Sequence, residues 1–187
     1  MSGQLDYEIN KELGECYLFM GELDKAEEYY RKAVSSNGVH PDPYLGLATI
    51  AVQRGELNDA LTMYRKAHDI EPNDKSYAGM GLVEMENGNV NDAFTLFAGA
   101  LECNPENMVA LFSLVRLGHE YDRLDEVVPG LLNFLQLQPE KSEVRYALAG
   151  CYVCQNKRDE AIAELETILN AEPDNEPARE LYAQMQE

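Results

Sequence analysis

Cys151-Tyr-Val-Cys154 brings two thiols within one helical turn, a spacing that can cycle between dithiol and disulfide or supply two ligands to zinc. Zinc needs four ligands, and His40, His68 and His119 are scattered along the chain without ligand spacing. A reactive pair is activated by a helix N-terminus or by nearby cations. This pair falls late in an expected helix, where the dipole raises a thiol pKa. Positions related to Cys151 elsewhere in the chain are Cys16, Ile50, Val83 and Leu117, an apolar set, and Cys103 likewise matches Ile70 and Leu137. The cysteines are therefore expected to be small core hydrophobes, with no metal site. The sequence also carries no nucleophile-base-acid set, phosphate-binding glycine loop or metal motif, so a non-enzymatic protein without a cofactor is expected.

Those relations come from an internal repeat. In Pro41–Pro72, Asp42 is expected to cap a helix that has Pro43 at its first position and runs toward Arg54. Tyr44, Leu47, Ala48 and Ala51 share one face of it, and Gly55 ends it. A second helix carries Leu57, Ala60, Leu61, Tyr64 and Ala67 on one stripe and stops before Pro72. The marker at Ala60 recurs as Ala26, Ala93, Val127 and Ala161, about 34 residues apart. The turn residue recurs as Gly21, Gly55, Gly88, Asp122 and Asn156, all types that tolerate left-handed backbone. The closing position is Gly38, Pro72, Pro105, Pro139 and Pro173, and the second-helix aromatic is Tyr30, Tyr64, Phe97, then Leu131 and Leu165. A single hairpin cannot bury its own apolar face, so the repeats must stack.

With Leu47, Ala48, Gly55, Ala60, Tyr64, Ala67 and Pro72, the chain resembles the tetratricopeptide repeat family over about residues 7 to 187. Gly118, Phe134 and Ile168 depart from its pattern in the fourth and fifth repeats. The resemblance implies an all-α, right-handed superhelical solenoid of about five helix-turn-helix repeats: 7–40, 41–73, 74–107, 108–141 and 142–175. With a C-terminal capping helix at 176–187, these form a single repeat domain over 1–187.

The net charge of −19 and pI near 4.4 argue against nucleic-acid or anionic-membrane partners, which need clustered Lys and Arg. No stretch approaches the ~20 apolar residues of a membrane helix, and MSGQLDYEIN reads as no signal peptide, so a cytoplasmic location with reduced thiols is expected. Glu8, Lys11, Glu12 and Glu15 suggest a first helix turned to water as an N-terminal cap. Gly38 is expected to end a helix in left-handed backbone. Glu84 replaces an aromatic and is expected at the surface or beside a cation, Pro129 should distort its helix start without breaking it, and Asn175 should cap the last helix.

In the family resembled, the first helices line a concave groove. Alignment places Leu45, Gly46, Thr49 and Val52 there, then Ala78, Gly79, Leu82 and Met85, then Phe112, Ser113, Arg116 and His119, and finally Tyr146, Ala147, Gly150 and Val153. The lining is apolar, with glycines leaving gaps that partner side chains would fill. Lys11 and Lys75 fit two positions of the family's carboxylate clamp, but Glu15, Gly46 and Gly79 occupy the others, so a chaperone tail is not the expected ligand. The resemblance implies a protein-interaction scaffold or adaptor that holds an amphipathic or extended partner segment. The alternative is a self-associating scaffold, a homo-oligomer built through the groove or the repeat ends.

Overall fold

The computed structural model describes residues 2–186, which form eleven α-helices and no strand. They fall into two compact units, Met1–Asn104 and Pro105–Glu187.

In the first unit, α1 (Ser2–Phe19) and α2 (Leu23–Ser36) form repeat 1, α3 (Asp42–Gln53) and α4 (Leu57–Ile70) repeat 2, and α5 (Asp74–Glu86) and α6 (Val90–Cys103) repeat 3. Gly21, Gly55 and Gly88 sit at φ of 75° to 78°, the left-handed backbone that lets each hairpin reverse within a few residues. The second helices α2 and α4 are each sandwiched between first helices. Ala26 and Tyr30 of α2 pack on Leu47 and Ile50 of α3, and Ala60 and Tyr64 of α4 pack on Met80 and Val83 of α5. Alanine at these contacts brings the helix axes close, while the tyrosine ring fills the space beside them.

The second unit repeats the plan with α7 (Met108–Glu120), α8 (Leu124–Leu137), α9 (Ser142–Cys154), α10 (Arg158–Ala171) and α11 (Glu176–Gln186). Asp122 and Asn156 take the turn positions at φ 54° and 57°. Pro129 lies inside an uninterrupted α8, close enough to its start that little of the hydrogen-bond ladder is lost. Asn175 accepts the Ala178 N–H at 3.1 Å and caps α11, whose Ala178 is buried against Leu165 and Ile168.

Several local expectations are corrected. Pro41, with φ −73° and ψ −30°, already has helical backbone, so α3 starts at Asp42 and that residue does not cap it. Gly38 is not left-handed; α2 ends at Asn37 in extended backbone, whose N–H reaches Ala33 O at 2.9 Å. Glu84 is buried and takes the second of its two expected placements, beside a cation. It accepts a 2.7 Å hydrogen bond from Asn89 Nδ2, with the Arg65 guanidinium 3.9 Å away. Three of the four cysteines, Cys16, Cys103 and Cys154, are exposed, and only Cys151 is a core residue.

Candidate functional site

The groove positions of the first unit are largely filled from within. A Cβ on Gly46 would lie 2.3 Å from the Tyr30 ring, and one on Gly79 would lie 2.2 Å from the Tyr64 ring. These glycines exist to admit the tyrosine of the preceding repeat, so they leave no gap for a partner. Thr49 donates to the Leu45 carbonyl at 2.9 Å. Leu45, Leu82 and Met85 are half-buried, Ala78 is buried, and Val52 is exposed.

The second unit differs because α8 carries Leu131 where repeats 1 and 2 have Tyr30 and Tyr64 and repeat 3 has Phe97. The facing residue on α9 is Ala147 instead of glycine, and one turn further Gly150 has no atom within 4 Å of where a Cβ would stand. A cavity of about 810 Å³ opens here. Phe112, Val115 and His119 of α7 wall one side, Tyr146, Ala147 and Gly150 of α9 form another, and Pro177 of α11 also lines it. Phe112 and Tyr146 are each more than a third exposed, Val153 is half-buried, and Arg116 is exposed on α7.

The rim of this trough is acidic. Glu140, Glu143 and Glu172 line it with Lys141 as the cation among them. Hydrogen bonds from Ser142 and then Asn175 hold the Glu172 carboxyl below the usual carboxylate range, so it stays ionised at neutral pH.

Folding also creates a grouping that sequence spacing does not reveal. The exposed His119 ring lies between the two thiols of α9, with Nε2 3.9 Å from Cys151 Sγ and Nδ1 3.6 Å from Cys154 Sγ. These contacts span 32 and 35 residues, one repeat length, so only the repeat alignment carries a signal for them. Burial, with the neighbouring Cys154 adding to it, pushes the Cys151 thiol up to about 11, which keeps it protonated and a poor nucleophile. Among the described residues no group of three or more His, Cys, Asp or Glu is arranged to hold a metal ion.

The model of the family described as Tetratricopeptide repeat matches residues 20–81 and 132–185, more than half of the chain. The chain belongs to the tetratricopeptide repeat family. The fold of this repeat protein is shared by solved structures of low sequence identity. Pseudomonas aeruginosa pilF superposes with a TM-score of 0.76 at 17% identity, covering 99% of this chain and 90% of that one. MamA protein gives 0.70 at 18% identity over 90% and 92% of the two chains. YrrB, described as a TPR protein with an unusual peptide-binding site, gives 0.68 at 20% identity over 94% and 90%. Among curated proteins, BBSome complex member BBS4 of Bos taurus is 34% identical over 71 residues, 38% of this chain. The matched stretch spans only 14% of that relative's length. Its Mus musculus counterpart is 32% identical over 71 residues, with the same coverage. No helix among the described residues is long and apolar enough to cross a membrane.

Proposed function

We propose that this repeat protein is a non-enzymatic adaptor that binds a segment of a partner protein in the α7–α9 trough. The observation that carries this reading is the unfilled space over Gly150, walled by Phe112 and Tyr146 and rimmed by carboxylates. A bulky apolar side chain of the partner enters above Gly150 and removes both exposed rings from water. Lys or Arg beside that anchor meets Glu140, Glu143 and Glu172, and the chain's net charge of −19 steers such a cationic segment toward it. The remaining groove positions, Leu45, Thr49, Val52, Ala78, Leu82, Met85, Arg116, His119 and Val153, contribute surface in proportion to their exposure.

Gly150→Leu tests this directly, because it fills the space from the helix side and its Cβ meets no atom of the fold within 4 Å. A library of short peptides displayed on phage is selected against the wild type. Enriched sequences with one large apolar residue next to Lys or Arg, losing affinity for Gly150→Leu, are the expected result. Selected peptides that bind both proteins equally would place recognition elsewhere.

A further inference from the structure

The outer face of α1 is apolar and open. Leu5, Ile9, Cys16 and Phe19, with Met20 directly after the helix, recur at helical spacing, and all five are exposed, Phe19 to 95%. The stripe runs about 22 Å at 1.5 Å per residue, with Glu12 within it and Glu8 and Glu15 along one flank. This corrects the expectation of a polar N-terminal cap: the carboxylates line one side of an apolar ridge.

The internal repeat shows what kind of element covers such a ridge. The positions equivalent to Ile9 are Pro43, Ser76, Ala110, Val144 and Ala178, and every one is buried. Those equivalent to Cys16 are Ile50, Val83, Leu117 and Cys151, each no more than 2% exposed. Wherever the cover is seen within one unit, it is the second helix of the preceding repeat: α2 over α3, α4 over α5, and α10 over α11. Repeat 1 has apolar residues at those positions, and among the described residues no helix covers them.

We infer that the α1 stripe is a docking face for an amphipathic helix of another protein, of the second-helix type. Three features set that helix's chemistry. Small side chains face Glu12 and Cys16: Glu12 stands at the position of Gly46, where a Cβ would lie 2.3 Å from the Tyr30 ring, and Ala26 and Ala60 pack at the contacts equivalent to Cys16. Lys or Arg lies beside Glu12 and Glu15, which are exposed, whereas Glu8 already pairs with Lys11 at 3.6 Å. An apolar residue sits over Met20. That position is Arg54 in repeat 2, bound to Asp24 at 2.6 Å, and Gln155 in repeat 5, bound to Asp125 at 2.7 Å, so a visiting helix meets a methionine where the chain's own second helices meet a polar side chain.

A second copy of this chain is a poor occupant. Its α2, α4 and α10 already carry a helix on the face in question, and the matching α6 residues Phe97 and Ala100 are fully buried. Pairing α1 with another α1 about a twofold would line up Glu8, Glu12 and Glu15 of both copies, each chain carrying a net charge of −19.

The exposed Cys16 thiol reports occupancy. The probes are two helix-stapled peptides: one has the sequence of α2, residues 23–36, with Tyr30 changed to Ala so that no ring meets Glu12, which stands at the Gly46 position, and the other also has its Glu27 and Glu28 changed to Lys. Maleimide labelling of the full chain is followed at each cysteine by mass spectrometry, with Cys103 as the internal control. The expected result is a several-fold, saturable slowing at Cys16 alone, at lower concentration for the Lys-bearing peptide. Glu12→Lys should cancel that preference, and Ile9→Lys should abolish protection while helicity is retained. Equal labelling of Cys16 with and without either peptide up to millimolar concentration would overturn the inference. So would protection of Cys16 that grows with protein concentration alone, which would make the occupant a second copy.

Discussion

Alanine at Gly46, Gly79 and Gly150 separates glycines that admit a neighbour from a glycine that leaves a vacancy. At Gly79 the new Cβ lies 2.2 Å from Tyr64 Cε1 and 2.4 Å from Cζ, and at Gly46 it lies 2.3 Å from Tyr30 Cζ. Carbon atoms settle about 3.5–4.0 Å apart, so each ring must retreat by more than about 1 Å. The rings are 3% and 8% exposed and have packed neighbours behind them. Overpacking of this kind costs about 1–3 kcal/mol. Replacing a mid-helix glycine by alanine returns about 0.5–1 kcal/mol, so the net loss at Gly46 or Gly79 is about 1–2 kcal/mol. At Gly150 nothing opposes the helix gain, and Gly150→Ala should be stabilised by about 0.5–1 kcal/mol. Urea denaturation followed by far-UV circular dichroism reads all three, with thermal midpoints moving about 2–4 °C per kcal/mol. Tyr64→Leu in the Gly79→Ala background recreates the Leu131–Ala147 pairing of the second unit and should recover part of the loss as a favourable coupling. If Gly79→Ala proves as stable as Gly150→Ala, the tyrosine rings yield freely and the steric reasoning fails.

Two further outcomes follow from buried polar groups. Tyr7 and Tyr30 are each pushed up to about 12, chiefly by burial and then by nearby carboxylates, from an ordinary value of 10. A folded-state pKa above the unfolded one gives stability that is intact below pH 10 and lost as pH rises toward 12. Absorbance at 295 nm should show late-titrating tyrosines whose ionisation coincides with loss of helicity, and a single ordinary titration with helicity intact would refute this. Asn89→Ala leaves the buried Glu84 carboxylate without its 2.7 Å donor and should cost about 1.5–3 kcal/mol in urea denaturation. Asn89→Ala with Glu84→Leu should restore most of it, and an unchanged midpoint for the single variant would show that Arg65 alone suffices for Glu84.

The repeat was legible in the sequence because its signals are local. Turn residues at Gly21, Gly55, Gly88, Asp122 and Asn156 need left-handed backbone whatever surrounds them, and all five adopt it. The alanine and aromatic markers of each second helix mark a close helix contact by side-chain size alone, and that contact is observed. The acidic character, a net charge of −19, is likewise plain from composition. Only the tertiary structure decided which glycines are filled and which are open. Gly46 and Gly79 are filled by the rings of Tyr30 and Tyr64, whereas Gly150, one turn further along the same kind of helix, has no atom within 4 Å of its Cβ position. The cysteines divide for the same reason: Cys16 and Cys151 hold equivalent positions, yet one is exposed and the other buried, because burial belongs to the helix stacked above and not to the residue.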